Sequence, residues 1–184
     1  MVIATNNNGK IEEIKKILTT YEIYSLKDKN IKTDIQEDQN SFVGNAKKKA
    51  YEIYNIIHEP VIADDSGLLI NALDGFPGVN THRFMENVSD TIKNEYLINE
   101  VNKYDDRSAK VVCDIVYYDG NDYIVCEGTL NGFISRERRG NNGFGFDEIF
   151  ELPNGKTLAE LSIDEKNKIS ARALALAKLK EKIN

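Results

Sequence analysis

The sequence predicts an α/β fold built on a mixed sheet, and three observations carry that prediction. A strand-like run at Val2-Ile3-Ala4 passes into a helical pattern. A second, sharper helical stripe is followed by the apolar run Val61-Ile62-Ala63. Two β-rich runs, 110–118 and 123–134, then meet at an Asp119-Gly120 turn as an antiparallel hairpin. With 184 residues, 41% of them hydrophobic, and only three prolines, the chain can bury one sizeable core, and a single domain spanning 1–184 is expected. The net charge of −6 argues against a broad attraction to nucleic acid or an anionic membrane, so an anionic substrate must be met by local cations. No apolar stretch approaches the roughly 20 residues of a membrane span. The early strand leaves no room for a signal peptide, and a cytoplasmic protein is expected.

The first strand is followed by Asn6-Asn7-Asn8-Gly9-Lys10, read as a polar turn, and then by Ile11, Ile14, Ile17 and Leu18 on one helical face. Backbone amides, a helix N-terminus and the Lys10 charge can hold a phosphate there, although the same residues also suit an ordinary turn. In the second helix Phe42, Ala46, Ala50, Ile53 and Ile57 form a narrow apolar stripe behind a Ser41 cap. Lys47 and Lys48 project away from it, whereas Lys49 lies at its margin, one turn beyond Asn45. Ahead of this helix, Gln36-Glu37-Asp38 reads by spacing as an acidic surface loop, with carboxylates that are also able to complete a magnesium shell.

Ile62-Ala63-Asp64-Asp65-Ser66-Gly67-Leu68 is the most informative stretch. It sets two carboxylates at the expected end of a buried strand, where α/β sheets keep their ligands and where a hard divalent cation finds oxygen donors. A capping turn is the alternative. Gly75-Phe76-Pro77-Gly78 forms a turn that aims Arg83, and 90–103 reads as a helix with Ile92, Tyr96 and Val101 along one face. Cys113 and Cys126 would lie opposite each other across a two-residue hairpin turn. In a reducing compartment they are expected to be buried thiols, and His58 and His82 are too isolated for a triad.

Gly143-Phe144-Gly145-Phe146-Asp147 has two readings. One is a ligand loop with a ring to stack on a base and a carboxylate to bind its edge; the other is a glycine-kinked strand packing two phenylalanines. Ser162-Ile163-Asp164-Glu165 is a capping-box pattern opening a terminal helix that carries Lys166 and Arg172, which either face a ligand or are surface cations.

In this order the segments resemble the inosine triphosphatase family, the house-cleaning pyrophosphatases that hydrolyse deaminated purine nucleoside triphosphates. The marks are Thr5-Asn6-Asn7-Asn8-Gly9-Lys10, Asn45-Ala46 with Lys49, Ala63-Asp64-Asp65-Ser66-Gly67-Leu68, Pro77-Gly78 with Arg83, Gly143 to Asp147 before Ile149-Phe150, and Glu165-Lys166-Asn167 before Ile169-Ser170. They run nearly end to end. The resemblance implies an elongated, twisted mixed sheet flanked by helices, two lobes with a central cleft, dependence on Mg2+, and a homodimer. It also implies a triphosphate held by the Thr5 to Lys10 loop with Lys49 nearby, metal ligation by Glu37 and Asp65, a catalytic role for Asp65, and a substrate contact from Ser66. Phe144 would stack on the base within the loop that includes Gly145 and Phe146, with Asp147, Lys166 and Arg172 at the nucleobase end. The chain departs from the family at Ala171, where histidine usually precedes the arginine, at Phe146 for tyrosine, at Glu148 for proline, and at Gly44 for an acidic residue.

Overall fold

The computed structural model describes residues 1–33, 35–81 and 83–183; His82, one of the two histidines considered above, lies outside them. The chain forms β1 (Val2–Ile3), α1 (Asn8–Ile17), β2 (Tyr24–Ser25), α2 (Phe42–Ile57), β3 (Val61–Ile70), α3 (Asp90–Val101), β4 (Ser108–Tyr118), β5 (Tyr123–Ile134), β6 (Phe150–Glu151), α4 (Ile163–Ile169) and α5 (Ala171–Lys182). The six strands order as β2-β1-β3-β4-β5-β6. β1 pairs in parallel with β2 and β3, and β5 pairs antiparallel with β6. The sheet is therefore mixed, in the α/β class the sequence predicts. Among the described residues no helix is long and apolar enough to cross a membrane.

The chain divides into two compact units. The first comprises Met1–Ser66, Cys113–Gly128 and Ser170–Asn184, and the second comprises Gly67–Val112 and Thr129–Ile169. In the first, the apolar stripe of α2 (Ala46, Ala50, Ile53) packs on Val2, Val61, Ala63 and Val116. In the second, Leu97, Ile98 and Val101 of α3 pack on Leu68, Ile70, Ile134 and Phe150. Each fully buried aliphatic side chain contributes roughly 1.5–3 kcal/mol, which makes these two clusters the main stabilising feature of their units.

Several local expectations need correction. The acids Asp64 and Asp65 stand within β3, which continues to Ile70, instead of emerging at a strand end before a turn. Pairing on the sheet and ion partners from flanking helices keep the strand going through residues that usually end one. α1 begins at Asn8, so the polar turn is shorter than expected and Gly9 and Lys10 belong to the first helical turn. α3 buries Asn94, Leu97, Ile98 and Val101, while Ile92 and Tyr96 are exposed. The hairpin loop is 119–122, wider than two residues, because the Asp119 carboxylate accepts from the amides of Asn121 and Asp122. The thiols of Cys113 and Cys126 are both free and buried, as expected. The terminal helix is two helices, since Ser170 leaves helical geometry and its hydroxyl accepts from the Ala173 amide to start α5. His58 ends α2 in a left-handed conformation, edge-on to Tyr54.

Candidate active site

Alternation along β3 sends the side chains of Asp64 and Asp65 to opposite faces. Asp65 shares the side of Val61 and Ala63, which pack against α2. There its Oδ2 accepts from Asn45 Nδ2 at 2.8 Å and its Oδ1 from the Ser66 amide at 2.9 Å. Asp64 instead meets α1 and α5. Its Oδ2 lies 2.9 Å from Lys10 Nζ and 2.9 Å from Arg172 Nη2. Arg172 also donates to Glu13 Oε2 at 2.5 Å and to Ser66 Oγ at 3.1 Å.

Four charged side chains, Lys10, Glu13, Asp64 and Arg172, thus form one network, and Arg172 and Asp64 are buried within it. Burial alone would push the Asp64 carboxyl up, but the fields of Lys10, Arg172 and Lys49 overcome it and hold it well below the ordinary carboxylate range. Burial likewise opposes the Arg172 charge, and Asp64, Cys113 and Glu13 more than restore it.

Lys49 is buried, and its ammonium donates to the Asp64 carbonyl oxygen and to Glu37 Oε1, the latter at 2.6 Å. Burial would lower its pKa, yet Asp64, Asp65 and Glu37 together raise it. Glu37 therefore turns inward toward a helix. Its neighbours Gln36 and Asp38 behave as the expected surface loop, and Asp38 pairs with Lys48 at 2.9 Å. Asp65 is pushed up to about 6, first by burial and then by Glu37, with Lys49 and the Asn45 hydrogen bond opposing. A carboxyl group with that affinity can exchange a proton near neutrality.

At the start of α1 the Asn7 side chain caps by accepting from the Lys10 amide at 3.1 Å, and the Asn7 amide donates to Thr5 Oγ1. Asn6 is turned aside, donating to the Thr33 carbonyl oxygen at 3.1 Å. The Asn8 and Gly9 amides precede the first intrahelical bond, from the Ile11 amide to the Asn7 carbonyl oxygen, at the positive end of the helix.

The second unit gathers Gly143 to Asp147 and Lys166. Residues 143–147 form bends and turns, which removes the kinked-strand reading. Gly143 and Gly145 take φ of +79° and +63°, the left-handed region that favours glycine. A Cβ on Gly143 would meet the Asp147 carboxylate at 2.1 Å. That carboxylate accepts from the Phe144 amide at 2.8 Å and from Lys166 Nζ at 2.5 Å, and the ammonium stands 4.5 Å from the Phe144 ring centroid. Phe146 packs against the core of its unit. The loop is pinned from α3, where Asn94 donates to the Gly145 carbonyl oxygen and Asp90 accepts from its amide, both at 3.0 Å. Lys166 is carried on α4, whose start has the expected capping box between Ser162 and Glu165.

Lys166 and Asp147 are thus brought together, whereas Arg172 directs its donors to Asp64, Glu13 and Ser66 in the first unit. Ala171, beside it, is buried. Arg83 is exposed and donates to Asn80. Glu148, the proline departure, accepts from Arg138 at 2.8 Å.

Sequence reasoning did not assign roles to Glu13, Asn45, Asp90 or Asn94. Glu13 had a signal, lying one helical turn from Lys10 on the same face.

The model of the Ham1 family matches residues 1–182. A dITP/XTP pyrophosphatase of Clostridium tetani is 39% identical, covering 100% of this chain and 95% of its own length. One from a Thermoanaerobacter species is 43% identical over 100% and 96%. Among solved structures, the Staphylococcus aureus Ham1 protein superposes with a TM-score of 0.89 at 37% identity, over 99% of this chain and 96% of that one. A match along the whole backbone, together with identity at this level, leaves one conclusion about ancestry: the chain belongs to the Ham1 family, the inosine triphosphatase family that its motifs resemble.

Proposed function

We propose that this chain is a nucleoside triphosphate pyrophosphatase that hydrolyses deaminated purine nucleotides (ITP, dITP and XTP) to the monophosphate and pyrophosphate with Mg2+, clearing them from the nucleotide pool. The observation that carries the reading is the convergence of Asp65 and Glu37 with the buried Lys49 and, across β3, of Asp64 with Lys10. Carboxylates to hold a cation and ammonium groups to hold phosphates are what cleavage of a phosphoanhydride requires.

The donor set fits magnesium. Glu37 and Asp65 are hard oxygen donors, and the Glu37 charge already raises Asp65, a repulsion that a cation relieves. Among the described residues no three metal-ligating side chains stand together as a cage. Mg2+ habitually takes one or two carboxylates and completes its shell with water and substrate phosphates. When bound, the ion supplies charge neutralisation and a more acidic water.

The chain's residues do the rest. Lys10, Lys49 and the Asn8 and Gly9 amides hold phosphate oxygens, with Thr5 and Asn7 shaping that turn. Asp65 takes the proton of a water attacking the α-phosphorus while the bond to the bridging oxygen breaks and pyrophosphate leaves. Phe144 offers a face for the base, and Asp147 and Lys166 offer an acceptor and a donor for its edge. The reading extends to a cytoplasmic homodimer, with no nucleic acid or membrane partner.

Phosphorus NMR of the products from inosine, xanthosine, guanosine and adenosine triphosphates with Mg2+ tests it. Monophosphate plus pyrophosphate, fastest from the deaminated purines and lost in Asp65→Asn, is the expected result. Diphosphate plus phosphate, or no turnover, would overturn it.

A further inference from the structure

Asn45 is fully buried in the first turn of α2, yet it lies outside the apolar stripe of that helix. Both ends of its amide are engaged. Oδ1 accepts from the Gln39 amide at 2.9 Å, and Nδ2 donates to Asp65 Oδ2 at 2.8 Å. The orientation of the amide follows from its partners, since a backbone N–H only donates and an ionised carboxylate only accepts. One end therefore ties down the irregular segment two residues after Glu37, and the other end fixes the carboxylate of Asp65. One turn further along, Lys49 holds Glu37 directly at 2.6 Å.

We propose that Asn45 is a positioning residue that sets the separation of the Glu37 and Asp65 carboxylates, and so tunes the chain's affinity for a divalent cation. This rests on the reading of those two acids as cation ligands. A segment without regular secondary structure can place Glu37 in many positions. The bond at Gln39 removes most of that freedom before a cation arrives, and the bond at Asp65 selects one rotamer of the second ligand. Partners of this kind, which orient ligands without touching the metal, commonly change metal affinity by about 10–100-fold when removed.

The experiment is titration of the full chain with Mn2+, reading free ion by electron paramagnetic resonance, on wild type, Asn45→Ala, Glu37→Gln and Asp65→Asn. We expect Asn45→Ala to raise the Mn2+ Kd by about 10–100-fold. At saturating Mn2+, with rates normalised to the folded fraction, its KM for inosine triphosphate should stay close to the wild-type value while kcat falls, a loss that unfolding alone does not produce. Unchanged Mn2+ affinity in Asn45→Ala, with weaker binding in the two ligand variants, would overturn this proposal alone. Unchanged affinity in all three would overturn the cation reading and this proposal with it. If Asn45→Ala does not fold, hydrogen exchange of the metal-free wild type decides. Protection of the Gln39 amide supports the tether, and exchange as fast as that of exposed Gln36 overturns it.

Discussion

Arg172 Nη2 lies 2.9 Å from Asp64 Oδ2, a buried ion pair between residues 108 positions apart in sequence. The same guanidinium binds Glu13 and Ser66, so α1, β3 and α5 of the first unit converge on one side chain. Arg172→Ala would leave two buried carboxylates without that partner and is expected to cost about 3–5 kcal/mol in urea denaturation. Arg172→Lys should cost less but recover only part, because a point charge cannot span three acceptors as a planar fork does. Equal stability of Arg172→Ala and wild type would remove this network as a support of the fold.

Gly128 on β5 allows α5 to approach. A Cβ there would lie 1.9 Å from the Ala171 carbonyl oxygen and 2.7 Å from the Ala175 amide nitrogen. Both are backbone atoms, so the helix itself must move. Gly128→Ala should therefore destabilise by about 1–3 kcal/mol and displace Arg172 from Asp64. Thermal unfolding reads the first effect. A loss of kcat larger than the loss of folded protein would read the second.

The contrast between Ser41 and Gly128 shows where sequence reading succeeds. Ser41, the stripe from Phe42 to Ile57 and the two hairpin runs were legible because caps and periodicity are local properties, and the observed α2 begins and ends with its stripe. Gly128 acts through residues distant in the chain, so no local pattern marks it, and Glu13 shows locally only its place one turn from Lys10, not its pairing with Arg172. β2 and β6, two residues each, are too short to show alternation. Asp64 and Asp65 stood out in the sequence as paired carboxylates, but not as part of a strand. Their tolerance within β3 depends on Lys10, Asn45 and Arg172, which only the tertiary structure supplies. The Glu37 contact with Lys49 was hidden for the same reason, since its neighbours do behave as a surface loop.

The raised Asp65 carboxyl gives the metal-free protein a specific pH dependence. Its folded value of about 6 exceeds the ordinary 3.8, so between about pH 4 and 6 the folded state keeps a proton that the unfolded chain has released. Stability from this group is therefore lost as pH rises through that window. Asp64 has the opposite sign, because its depressed value stabilises above the ordinary carboxylate range and that contribution disappears in stronger acid. Asp65→Asn removes the first contribution alone. With metal chelated, its stability relative to wild type should improve between pH 4 and pH 7 by up to about 3 kcal/mol. Urea denaturation at the two pH values measures the difference, and parallel behaviour of variant and wild type would contradict the assignment.

Phe144 and Lys166 allow the proposed base contact to be tested apart from folding. The ammonium 4.5 Å from the ring centroid also pairs with buried Asp147, so Lys166→Met would strand an anion and should cost about 3–5 kcal/mol of stability. Phe144→Leu keeps an apolar side chain and the backbone amide that donates to Asp147, while losing the aromatic face. If a base stacks there, the loss is roughly 1–3 kcal/mol, or about 5–150-fold in kcat/KM for inosine triphosphate. Inorganic tripolyphosphate has no base, so its inhibition constant should be unchanged in Phe144→Leu. Equal losses for the nucleotide and the polyphosphate would place the effect at the phosphates, and no loss for either would mean that the ring serves its own unit and touches no substrate.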